Sequence, residues 1–142
     1  MAKVIQDLWI LTDGGIVLFN RVYDPKVSAQ LFGALMTALD SYSREIGMGD
    51  GGLKNFEIQN IRFTIIRNKN LLFVANSSKR FKEKKVLNEL DIISERFFIK
   101  YSNTFDDFEN WNMEISIFSN FEEEIEDKLE DPVRQFWIRM AR

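Results

Sequence analysis

Residues 8–23 read LWILTDGGIVLFNRVY, two apolar runs separated by Asp13-Gly14-Gly15. Asp-Gly followed by Gly supplies the positive φ angles of a tight turn, so the spacing predicts a β-hairpin pairing residues 5–12 with residues 15–23. Successive side chains of a strand point to opposite faces, and here Trp9 and Ile10, like Val17 and Leu18, are apolar on both. A hairpin of this kind belongs inside a sheet covered on both sides, which calls for helices above and below it.

The next periodic stretch is helical. Asp24-Pro25 reads as an N-cap and first turn, and Val27, Leu31, Ala34, Leu35, Ala38, Leu39, Tyr42 and Ile46 recur at helical spacing. This stripe is expected to cover one sheet face, with Phe32 and Met36 off its centre and bordering a groove. Gly47 should end the helix. The loop that follows, GMGDGG over residues 47–52, satisfies the letters of a dinucleotide-binding fingerprint. It follows a helix and precedes a strand, whereas that fingerprint must leave a strand and open a helix, so it reads as a loop.

Three strand signals come next: residues 55–59, which alternate and suit an edge; residues 61–67; and residues 71–76, which are apolar on both faces and suit the sheet centre beside residues 8–11. Asn68-Lys69-Asn70 makes the turn between the last two. Asn76-Ser77-Ser78 spells a glycosylation acceptor, but its serines read better as a helix N-cap. From about Lys79 past Tyr101 the period is helical, with Val86, Leu90, Ile93 and Phe97 as the stripe and Leu87, Phe98 and Tyr101 extending it. Ser119 and Glu122 resemble a capping box ahead of a last helix that buries Phe118, Phe121, Ile125 and Leu129. Residues 131–142 form a separate short amphipathic segment, so the expected organisation is one domain over residues 1–130 and a tail packed on it.

Composition narrows the chemistry. The chain has 142 residues, 45% of them hydrophobic, and contains neither cysteine nor histidine. Disulfides, thiolate sites, imidazole-based triads and His-rich zinc sites are therefore excluded together, and a reducing cytoplasm is the expected compartment. A net charge of −3 argues against a nucleic-acid binder. Charge is uneven, however. Lys79, Arg80, Lys82, Lys84 and Lys85 cluster within seven residues, and eleven acids fall between residues 105 and 131. The basic run is a candidate surface for an acidic partner, or for weak peripheral contact with anionic lipid at about 1 kcal/mol per cation; its plainer reading is a solvated helix face. Glu122, Glu123, Glu124, Glu126 and Asp127 point outward around a helix and do not converge on a metal. Asp106 and Asp107 have no nucleophile or proton acceptor beside them. No catalytic residue, cofactor site or metal site is expected.

The order of elements, together with WILTDGGIVLF in the opening hairpin and the spaced set Phe97, Tyr101, Trp111, Phe118, Phe121 and Ile125, resembles the longin-like family. That family includes the amino-terminal domains of vesicle SNAREs, small adaptor chains of clathrin coats, tethering-complex subunits and the amino-terminal domain of the signal-recognition-particle receptor alpha chain. The resemblance implies an α+β, three-layer α/β/α sandwich with a five-stranded antiparallel sheet in the order β-β-α-β-β-β-α-α. It also implies a non-enzymatic protein-interaction module, of the kind found in vesicle trafficking or small-GTPase regulation, binding a small Ras-like GTPase or another longin-like chain, a homodimer included. No coiled coil, GTPase domain or anchor follows residue 129, so a stand-alone scaffold or regulator is expected. Longin-like domains also hold peptides in a groove beside the first helix, which would place Phe136 and Trp137 of the tail near Phe32 and Met36. Pairing through a sheet edge is open at residues 16–23 or 55–59. The alternative function is a small-ligand sensor with a pocket between the first helix and the sheet.

Overall fold

The computed structural model describes residues 3–22, 28–46, 53–106 and 114–130. Five antiparallel strands, β1 (Asp7–Thr12), β2 (Val17–Arg21), β3 (Asn55–Ile58), β4 (Ile61–Asn68) and β5 (Leu71–Ser78), form one sheet in the order β2-β1-β5-β4-β3. Helix α1 (Ala29–Glu45) lies on one face; α2 (Glu83–Lys100), α3 (Ser102–Asp106), a 3-10 segment (Ile115–Phe118) and α4 (Phe121–Ile125) complete the fold. This is the expected α+β architecture.

The opening hairpin occupies the middle and one edge of the sheet. Thr12 N–H donates to the Ile16 carbonyl at 2.8 Å, and Gly15 alone of the two turn glycines takes a positive φ, at 95°. A register shift between Ile10 and Leu11 bends the strand there. Leu8 to Leu11 pair with Ala75 to Leu72 of β5, the central placement that their two-sided apolar character predicts. Lys69 and Asn70, both at positive φ, turn β4 into β5.

Two apolar layers result. Trp9, Leu11, Val17, Ile65, Leu72, Val74 and Met36 pack on the α1 side. Ile10, Leu18, Phe73 and Ala75 face the other side, where they meet Val86, Leu90, Ile93 and Phe97 of α2, together with Phe118, Phe121 and Ile125. Phe97 is the hub of that layer, within 5.7 Å of Phe73, Phe98, Tyr101, Phe118 and Phe121 between ring centroids. Leu129, also buried, forms a parallel bridge with Ile5 near the end of the described chain.

Several boundaries differ from the sequence expectation. Ser77 and Ser78 belong to β5 and do not cap α2, which starts at Glu83 after Lys82 with no side-chain cap. Ser77 is fully buried because its strand runs on beside Arg62 of β4. The N-cap of α1 is Ser28, whose Oγ accepts the Leu31 N–H, so this helix starts later than Asp24-Pro25 suggests. Ser119 donates to the Ser116 carbonyl and forms no capping box, since Asn120 stands at the N-cap of α4.

Candidate functional site

The largest departure is the orientation of α1. A Cβ added to Gly33 would lie 2.2 Å from the Gly15 carbonyl oxygen, so the helix backbone is pressed directly onto the hairpin turn. Farther along, Asp40 is buried and forms ion pairs with Arg67 of β4 and, at 3.4 Å, with Arg44. Burial of the Arg67 guanidinium pushes its pKa down, and its second amino group donates to the Leu53 carbonyl. Gly33, Met36, Asp40 and Ser43 thus make the inward face.

The apolar stripe therefore points outward, contrary to expectation. Leu31 is 62% exposed, Leu35 49%, Tyr42 64% and Ile46 49%. Ala34 and Ala38 between them are exposed too, and only Leu39 of the described stripe is half-buried. The reason is close packing: the contact with Gly15 needs a residue without a side chain, and Gly33 provides it on the side opposite the leucines. Asp40, the sole charged residue of the helix before Arg44, is on the inward side, so the outward face carries no charge from Ala29 to Ser43.

Beside this helix runs a row of aromatic rings. Trp9 stacks on Phe32 at 4.1 Å between centroids, Phe32 lies 6.2 Å from Phe63, and Phe63 stacks on Phe56 at 4.7 Å. Phe32, Phe56 and Phe63 are half-buried, and Ile58, two residues beyond Phe56 on the same strand face, is 57% exposed. Phe32 lies within this row of rings. Met36 does not, being 1% exposed beneath the helix. Phe136 and Trp137 lie outside the described residues.

The other face of β3 is charged. Glu57 accepts from Lys79 Nζ at 2.9 Å and faces Arg62 Nε at 3.5 Å; these contacts, the Lys79 hydrogen bond first, hold its carboxyl below the usual range. Lys79 and Arg80 sit in the turn before α2, not on the helix, and Arg80 lies over the Phe81 ring at 4.9 Å. Lys79, Arg80, Lys82 and Lys84 are exposed and Lys85 is half-buried. Of the five, Lys79 alone has a carboxylate partner among the described residues.

The two sheet edges are unlike each other. On β2 the Gln30 side chain accepts the Val17 N–H and donates to the Val17 carbonyl, both at 3.3 Å, and the 3-10 segment packs against the same strand. Those outward backbone groups are occupied. On β3, no described residue pairs with the outer edge. Of the two edges left open by the sequence, β2 is engaged at Val17, and β3 has no partner on its outer side among the described residues.

No group of three or more Asp or Glu side chains among the described residues is placed to hold a metal ion, and no described helix is long and apolar enough to cross a membrane. Met36 and the approach of Gly33 to the turn fill the space beneath the first part of α1, and a recess of about 170 Å³ lies farther along, between Arg44 and Asp13, Arg67, Asn70 and Leu72. A cavity of about 430 Å³ lies elsewhere, lined by Lys54, Ile66, Arg67, Glu83 and Leu87.

Among solved structures, a Roadblock/LC7 domain from Streptomyces avermitilis superposes with a TM-score of 0.53 over 71% of this chain and 88% of that one, at 19% identity. The chain has a Roadblock/LC7-type fold. Myxococcus xanthus MglB is a weaker match, with a TM-score of 0.49 at 12% identity over 66% of this chain and 83% of that one. Roadblock/LC7 domains are longin-like in architecture, so the likeness supports the fold expected from the sequence and does not single out any of the vesicle or receptor families named above. No protein-family model and no curated protein matches the chain.

Proposed function

We propose that this chain is a non-enzymatic interaction module that docks another protein, a small Ras-like GTPase or a second longin-like chain, on the outward face of α1 and the open edge of β3. The observation that carries this reading is the uncharged apolar face of Leu31, Leu35, Tyr42 and Ile46, notched by Ala34 and Ala38, near a strand whose outer edge has no partner among the described residues. Burying each large apolar side chain fully yields about 1.5–3 kcal/mol, so covering four of them is a strong drive to associate. Small residues between large ones let a second helix approach closely, and an edge strand adds backbone hydrogen bonds.

Sedimentation velocity tests this, with the protein alone and with candidate GTPases in both nucleotide states. The expected result is a complex, or a self-associated species, that Leu31→Glu with Leu35→Glu weakens at least tenfold. Association unaffected by the pair of charges would place docking elsewhere, and a robust turnover abolished by one carboxylate substitution would replace the reading with an enzyme.

A further inference from the structure

Two turns and the end of a helix meet at one end of the sheet. The Asp13 N–H donates to the Asn70 carbonyl at 3.2 Å, which ties the turn of the opening hairpin to the turn between β4 and β5. The last turn of α1 comes to the same place, and the recess of about 170 Å³ lies between its Arg44 and these turns, with Asp13 and Asn70 among the lining residues.

The recess has walls of opposite charge that do not meet. Arg44 reaches Asp40 Oδ2 through one amino group at 3.4 Å, Arg67 takes the other Asp40 oxygen, and the Arg44 side chain is still 56% exposed. A guanidinium has five N–H donors in a fixed fork, so this one contact orients Arg44 and leaves most of its donors for another acceptor. Asp13 is exposed, and among the described residues its carboxylate has neither an ion pair nor a hydrogen bond. Lys69 also lines the recess, but its ammonium is placed over the Phe98 ring of α2 at 5.0 Å.

We propose that this recess binds a small zwitterion, an α-amino acid, with its carboxylate on Arg44 and its ammonium on Asp13. A bare anion would gain Arg44 but face the Asp13 carboxylate, and a bare cation would gain Asp13 but face Arg44. A molecule carrying both charges answers both walls. Charge-assisted hydrogen bonds are roughly twice as strong as neutral ones, and arginine can hold a carboxylate by two parallel bonds. Exposed charges are screened, so an affinity in the millimolar range is expected. Neither Asp13 nor Arg44 belongs to the apolar face proposed for docking, so the inference stands apart from that reading. Occupancy braces the end of the helix that carries the exposed Tyr42 and Ile46.

Alanine, propionate and ethylammonium share a shape and differ in which charges they carry. Each is titrated into the isotope-labelled full chain to about 50 mM, at constant ionic strength because salt screens exposed charges, and the amide chemical shifts are followed. Alanine is expected to give saturable shifts at Asp13, Arg44 and Asn70, with a Kd at least tenfold below that of either single-charge analogue. Arg44→Met and Asp13→Asn should each raise the alanine Kd at least tenfold, and Arg44→Lys should raise it less. All three alter exposed side chains, and dispersed spectra report that the fold is kept. Alanine binding no tighter than propionate, or equally tight after Asp13→Asn, overturns the inference and leaves a site for small anions. Shifts that are absent or rise linearly with every probe also overturn it, since the recess then holds only solvent. Should a variant fail to fold, the three titrations of the native chain decide the outcome on their own.

Discussion

Gly33 and Gly15 meet backbone to backbone, and this contact decides which way a whole helix faces. Alanine is the better helix former by about 1 kcal/mol, so on propensity alone Gly33→Ala should stabilise α1. The added Cβ would instead collide with the Gly15 carbonyl oxygen, whose position is tied to a turn at φ 95°. Overpacking of this kind costs about 1–3 kcal/mol, and a net loss of urea stability is expected; a gain would show that the helix sits farther from the turn. Acid sensitivity also has residue-level causes. Asp127 is held below its ordinary value of 3.8, first by its hydrogen bond from Arg96, and Glu57 below 4.5, first by the bond from Lys79. A carboxylate with a depressed folded value adds stability that is complete above its ordinary value and fades as pH falls through the lowered one. Urea midpoints measured from pH 6 to pH 3 should therefore fall in the acid part of that range, and fall less in Arg96→Met, where the Asp127 contribution is already absent.

At the scale of the element, α1 can be tested by what its substitutions fail to do. Leu35→Glu would unfold many domains if the leucine were core, since burying an unpaired charge is strongly unfavourable. On an exposed face the effect should be within about 0.5 kcal/mol, so an unchanged thermal midpoint alongside lost association is the expected pair of results. The contrast shows why the sequence was legible for the strands and misleading for this helix. Two-sided apolar runs such as residues 8–11 and 71–75 admit one placement, the sheet centre, and α2 has one apolar stripe and one partner to bury it on. In α1 the stripe of leucines and the inward face of Gly33, Met36, Asp40 and Ser43 are different sides. Periodicity finds an apolar side but cannot tell a core from an interface, and Asp40 at an inward position reads as polar until Arg67, 27 residues away, is found beside it. Serines 77 and 78 misled for a related reason: a cap and the end of a buried strand use the same small polar residue. The β3 edge carries no side-chain signature at all, because its unpaired groups are backbone.

For the whole molecule, the layered arrangement closes one face of the sheet and leaves apolar side chains partly uncovered on the other. Around Phe97 the α2 side is sealed by aromatic contacts from five directions, while the α1 side keeps Phe32, Phe56 and Phe63 half-uncovered. Substitutions on the first side should act on folding and those on the second on association. The Gln30 side chain clasped to Val17 then has a consequence for growth. A sheet with two open edges can recruit neighbours without end, since each arrival presents a fresh edge, whereas a sheet with one is finished after a single addition. If the chain docks through β3, the Gln30 clasp on Val17 is expected to help end growth at a single addition. Gln30→Ala should let the light scattering of a concentrated sample climb steadily over time where the native chain stays level, and a flat trace would mean that the 3-10 segment alone is enough to stop the chain from becoming a fibre.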